Sequence, residues 1–157
     1  MTFVTKMKSK RYKPASVVLE NKKLWITGGW DVGVSELSSS EYIQISSGST
    51  SGPDLPFAVW FHSVVAWNSS SFMLMGGQAA SYNFVTKTFY YHESNPEWIP
   101  GPEVKLARWY QASGLGVDQA TNVPFIALTG GAASGYVWLD SVELLYEGET
   151  EWQAGKD

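Results

Sequence analysis

Three short apolar runs in this chain each end in a pair of glycines. They read Leu24-Trp25-Ile26-Thr27-Gly28-Gly29, Phe72-Met73-Leu74-Met75-Gly76-Gly77 and Phe125-Ile126-Ala127-Leu128-Thr129-Gly130-Gly131, with the pairs 48 and then 54 residues apart. Apolar runs of this length closed by glycine have the form of buried strands, and recurrence at a fixed period is the signature of a repeat array. Other markers keep the same phase. Gly52-Pro53 recurs as Gly101-Pro102, Trp98 recurs as Trp152, and Tyr42, Tyr91 and Leu145 stand 14, 15 and 15 residues after the first glycine of their pairs. Arg11, Val59 and Arg108 precede the pairs by 17, 17 and 22 residues. The five extra residues of the third unit fall most simply in 116–124, where Asp118, Asn122 and Pro124 are turn formers.

Each unit reads as a four-stranded β meander. First strands are expected at 15–19, 62–67 and 112–117, and the glycine-terminated runs are second strands. Third strands are expected at 41–45, 88–91 and 141–146, with fourth strands near Trp98 and Trp152. No stretch keeps a 3.6-residue apolar period over a helical length. A generic β-sandwich would not require the same markers three times in phase. The all-β reading suits a chain with Trp 8, Tyr 8, Phe 7 and Gly 15 but only 17% charged residues.

Composition also closes off several functions. Cysteine is absent, which excludes disulfide frameworks, thiolate metal sites and cysteine nucleophiles. His62 and His92 are the two histidines, too few for a His-rich metal centre. His62, on a first strand, is expected to be a hydrogen-bonded structural residue, and His92 lacks a second ligand at metal spacing. There is no nucleophile elbow and no Walker-type loop, and the Gly-Gly pairs do not open helices, so they are poor phosphate cradles. Neither a catalytic residue nor a cofactor is expected. Net charge is -4, yet residues 1–23 hold seven basic side chains against Glu20 alone. Lysines scattered around short strands read as a solvated face and not as an arm for nucleic acid or lipid. No apolar run approaches the ~20 residues of a membrane span.

The combination of a basic residue, a hydrophobic strand, the glycine pair, a Tyr-like position and a Trp before a Pro-containing turn resembles the kelch repeat. The units run near 11–56, 57–104 and 105–157, and residues 1–10 look like the tail of an earlier blade. Departures are Ser49 at a Trp position, Val59 at an Arg position and Leu145 at a Tyr position. The resemblance implies a kelch-type β-propeller, each unit one four-stranded blade, with Trp98 and Trp152 filling space between blades. Three blades are fewer than a closed propeller has, so an incomplete propeller is expected, with self-association through its open blade faces. A copper site built on a Tyr crosslinked to Cys, found on related folds, is excluded by the lack of Cys.

What the resemblance implies for function is a non-catalytic protein-interaction module that binds an unidentified protein through the loops on one face. The second-to-third-strand loops carry Trp30 and Asp31, Tyr82 and Asn83, and Tyr136 and Trp138, and these are the candidate partner-binding residues. Trp30 and Trp138 could instead fold back over their blades. The alternative function is a fragment of a secreted kelch-fold enzyme or carbohydrate-binding protein whose active residues lie in other blades. The Asn68-Ser69-Ser70 sequon, in a turn, leans slightly toward secretion. Cytoplasmic residence is otherwise slightly favoured, since many kelch chains resemble intracellular adaptors.

Overall fold

The computed structural model describes residues 5–155 and contains three four-stranded antiparallel sheets, each a meander in chain order. The first sheet is built from Ala15–Val18, Leu24–Thr27, Ser40–Gln44 and Gly48–Ser51. Ser63–Asn68, Ser71–Met75, Thr88–His92 and Asn95–Gly101 form the second. The third comprises Ala112–Val117, Pro124–Thr129, Val142–Tyr146 and Gln153–Ala154. The expected strands are present with shifts of a residue or so at their ends. Of the expected 1–10 tail, residues 1–4 lie outside the described residues.

Registers align the units more closely than spacing does. Ser40, Thr88 and Val142 open the third strands opposite Thr27, Met75 and Thr129. That frame puts Tyr42 level with Tyr90, not with Tyr91, a correction of one residue to the phase read from spacing. It also sets Ser49, Trp98 and Trp152 at equivalent places, because Gly52, Gly101 and Gly155 each sit beside the start of a third strand. The extra residues of the third unit enter its first hairpin, as expected. Both strands there reach six residues, and Asp118 caps the turn by accepting hydrogen bonds from Ala120 and Thr121 N–H.

The first strands of neighbouring sheets lie against one another, and the sheets do not close into a ring. The core is therefore a series of layers between sheets. Leu19, Trp25, Phe72 and Tyr91 are buried together between the first and second sheets, with Trp98 packed against them. Trp25 has its ring 4.8 Å from Tyr91 and 5.7 Å from Phe72. Val65, Met73, Met75, Ile126, Leu128, Leu145 and Trp152 fill the next layer. Trp152 Nε1 donates to Pro102 O at 2.9 Å, tying the third sheet to the second. Emptying such a buried Trp site costs ~3–5 kcal/mol in general, since the walls relax only in part.

Within the first and third units, a buried arginine staples the connection entering the sheet to its third strand. Arg11 donates to Gly28 O, Ser39 O and Glu41, and Arg108 to Gly130 O, Ser141 O and Glu143. The Arg11–Glu41 side chains are each 1% exposed, and Arg108–Glu143 0% and 5%. Each glutamate is further held by a backbone N–H, Lys8 on Glu41 and Lys105 on Glu143. Burial pushes the Glu41 carboxyl up, but hydrogen bonds from Ser49, Lys8 and Arg11 outweigh it and hold the group below the ordinary range.

Candidate functional site

The second-to-third-strand loops and the connections between sheets meet at one edge of the array. Tyr12 pairs with Trp30, Trp60 with Gln78, and Trp109 with Ala132, each as an isolated antiparallel bridge one residue past a Gly-Gly pair. In all three the bonds are reciprocal, for example Tyr12 N–H to Trp30 O at 2.7 Å and Trp30 N–H to Tyr12 O at 2.8 Å. The next residue in each connection is left-handed: Lys13 at φ 50, Phe61 at 53 and Tyr110 at 59. That conformation costs a non-glycine residue ~1–2 kcal/mol, so its recurrence at one place in three units shows that the surrounding bridges impose it.

The outcome is a continuous aromatic surface drawn from all three units. Phe61 lies at its centre, with ring centroids 4.2 Å from Trp60, 4.0 Å from Tyr110 and 5.2 Å from Trp109. Trp30 stands 6.0 Å from Trp60, and Tyr136 5.2 Å from Trp109. Between these rings lies a cleft of about 420 Å³, whose polar lining includes Glu36 and Gln78. Lys13 Nζ sits 5.6 Å from the Tyr12 centroid and 5.9 Å from those of Phe61 and Tyr110. Such cation–π contacts are worth ~0.5–1 kcal/mol where solvent is near. Burial, with Tyr12 and Tyr136 beside it, pushes the Tyr110 phenol up, so the ring is neutral at physiological pH.

The candidate residues named from sequence divide on this surface. Trp30 and Tyr136 line the cleft. Trp30 is half-buried, packed back toward Trp60, whereas Trp138 is 71% exposed at 6.5 Å from Tyr110. Asp31 borders an adjoining recess with Tyr12 and Lys10, and its Oδ1 accepts from Gly33 N–H. Asn83 borders a separate recess with Phe57 and Lys87. The side chain of Tyr82 lies outside the described residues. Sequence reading missed Tyr12, Lys13, Trp60, Phe61, Trp109 and Tyr110. Their signal was available: an aromatic residue directly follows each of the phased positions 11, 59 and 108.

Neither histidine faces this cleft as a lining residue. His62 is buried, with Nε2 2.8 Å from Thr27 Oγ1 and Nδ1 unpartnered, and burial lowers its pKa to about 3. Exposed His92 makes a local turn with Ser94. Among the described residues no three His, Cys, Asp or Glu side chains cluster as a metal site. No helix of the described residues is long and apolar enough to cross a membrane. No protein-family model matches the chain, and no curated protein matches it in sequence.

Proposed function

We propose that this chain is a kelch-type β-propeller segment serving as a non-catalytic protein-interaction module, with the aromatic edge as its binding face. One observation carries the reading: connections and loops from all three units converge on a single open cleft whose walls are Trp, Tyr and Phe. Rigid aromatic rings give large contact area at low entropic cost and dominate protein–protein hot spots. The phased glycine pairs and the layered sheets support a propeller-like arrangement, in which such loops share one face.

The test is a pair of affinity baits, the native chain and Trp138→Ala, first matched for thermal stability. Because Trp138 is exposed, the substitution is expected to leave the melting temperature within about 2 °C, since surface changes stay within ~0.5 kcal/mol. A protein retained by the native bait and lost from the variant supports the reading. Identical retention by both, or a variant that melts early, counts against it.

A further inference from the structure

We propose that two copies of this chain close a six-sheet ring, the open face of each third sheet packing on the open face of the other copy's first sheet. The inference rests on the propeller arrangement proposed above and names what covers its two free faces. Its first support is positional equivalence. Trp25 and Thr27, and Met73 and Met75, point toward the following sheet and are buried. Ala127 and Thr129 hold those places in the third unit and are half-buried, beside Val142 and Leu144. Toward the preceding sheet, Phe72 and Tyr91, and Ile126 and Leu145, are buried, whereas their counterparts Leu24 and Ile43 are half-buried. Met7 is 42% exposed where Leu55 and Val104 are buried. Both outer faces thus keep the apolar side chains that the inner junctions cover.

The second support is a contact whose two ends differ together. Lys23 pairs with Glu93 across the junction of the first and second sheets, at 3.1 Å. Lys23 stands four residues before Thr27, as Phe125 does before Thr129, and Glu93 five after Thr88, as Ile45 does after Ser40. Seating a third sheet on a first sheet in the register of the inner junctions therefore sets Phe125 against Ile45, which is 80% exposed in the single chain. An ion pair replaced at both ends by hydrocarbon suits one buried contact better than two solvated surfaces. Third, a Cβ added at Gly28 would lie 2.3 Å from Val59 O, and at Gly76 2.9 Å from Arg108 O, but at Gly130 it meets only Leu139 O at 3.5 Å. Arg11 occupies the position of Val59 and Arg108, so the first unit of a second copy supplies that approach. Charge favours the same occupant. Residues 1–23 hold seven basic side chains against one acid, and residues 109–155 hold six acids and no lysine or arginine. Three sheets per copy make six, within the range of closed propellers, and a head-to-tail contact made twice closes as a two-fold ring.

The experiment is sedimentation equilibrium of the full chain from about 1 to 100 μM, affinities open to an interface of ordinary size. A species of twice the chain mass is expected, and it should weaken as salt is raised. Ile45→Glu should raise its dissociation constant roughly a hundredfold, because the contact is lost at both junctions. Ile45 is exposed, so folding is not at stake. Adding Phe125→Lys copies the Lys23–Glu93 pair and should restore most of the affinity. Val32→Glu, at an equally exposed residue in the loop after Trp30, should leave the dimer unchanged. A chain monomeric throughout, masses that climb past the dimer, or a dimer indifferent to Ile45→Glu would overturn the proposal, as would a folded double variant that regains nothing. A monomer that still captures a protein through Trp138 removes this inference alone; a dimer alongside failed capture removes only the interaction reading.

Discussion

The first and third units anchor their connections with a buried Arg–Glu pair, and the second does so with two hydrophobic side chains. Arg11 and Glu41, and Arg108 and Glu143, occupy the positions that Val59 and Phe89 hold in the middle unit. Val59 and Phe89 lie in one buried cluster with Leu55, Leu74 and Val85. Both solutions clamp the incoming connection against the third strand. The ionic version also satisfies the carbonyls of Gly28 and Ser39, or of Gly130 and Ser141, at hydrogen-bond distances of 2.8–3.2 Å. The apolar version avoids desolvating two charges, which in a protein interior costs several kcal/mol per ion before pairing offsets it. The two members have changed together: a lone Arg opposite Phe89, or a lone Glu opposite Val59, would leave a buried charge unmatched.

The largest expected effect comes from breaking one pair. Glu143→Leu strands the fully buried Arg108 guanidinium and should lower stability by ~3–5 kcal/mol in urea denaturation. The double change Arg108→Val, Glu143→Phe copies the middle unit and should recover most of that loss. If the double variant is no more stable than the single one, the two anchors are not interchangeable and the comparison fails.

Glycines sharpen the comparison at the next level. At Gly28, with φ +55, an added Cβ would lie 2.3 Å from Val59 O and 2.8 Å from His62 Cε1 in the following unit. At Gly130, with φ +59, it would meet nothing closer than Leu139 O at 3.5 Å. Gly28→Ala should therefore cost ~3 kcal/mol or more, from backbone strain plus a clash that neither strand can relieve. Gly130→Ala should cost only the ~1 kcal/mol of the left-handed conformation. Equal losses would mean that inter-unit packing does not set the demand for glycine.

The smallest effect is a slope against pH. His62 is neutral when folded, with a pKa near 3, while in the unfolded chain it takes a proton near 6.5. Between those values the unfolded state binds more protons, so stability falls as pH falls, by at most ~1.4 kcal/mol per pH unit. Glu41 adds a loss of the same sign at lower pH, when its depressed carboxyl is finally protonated in the folded state. His62→Gln places in the middle unit the residue that Gln111 supplies in the third, and should flatten the slope between pH 6.5 and 5. An unchanged slope would mean that another group is responsible.

Where local sequence determines local structure, reading succeeded. The second strands are visible because runs such as Phe72–Met75 are apolar throughout and end in glycine. Gly48–Ser51, in contrast, is Gly-Ser-Thr-Ser, which has no apolar signal, and it forms a strand because Gln44 to Glu41 offer it a free edge in register. Arg11 and Arg108 were legible by phase. Their partners Glu41 and Glu143 were not, because the pairing spans 30 and 35 residues and depends on a shared third-strand register. The cleft was missed for a related reason. Lys13, Phe61 and Tyr110 are left-handed without being glycine, and only the bridges from Trp30, Gln78 and Ala132 reveal that geometry.

The two glycines of each pair face different ways along the array. The second abuts its own incoming connection, as Gly131 does at Trp109 O, while Gly29 and Gly77 N–H also donate forward, to Val59 O and Arg108 O of the following unit. Bonds also run the other way, from Val59 and Phe61 N–H back to Leu37 O and Lys13 O and from Trp152 Nε1 back to Pro102 O, so each sheet is sewn to the next by exchange in both directions.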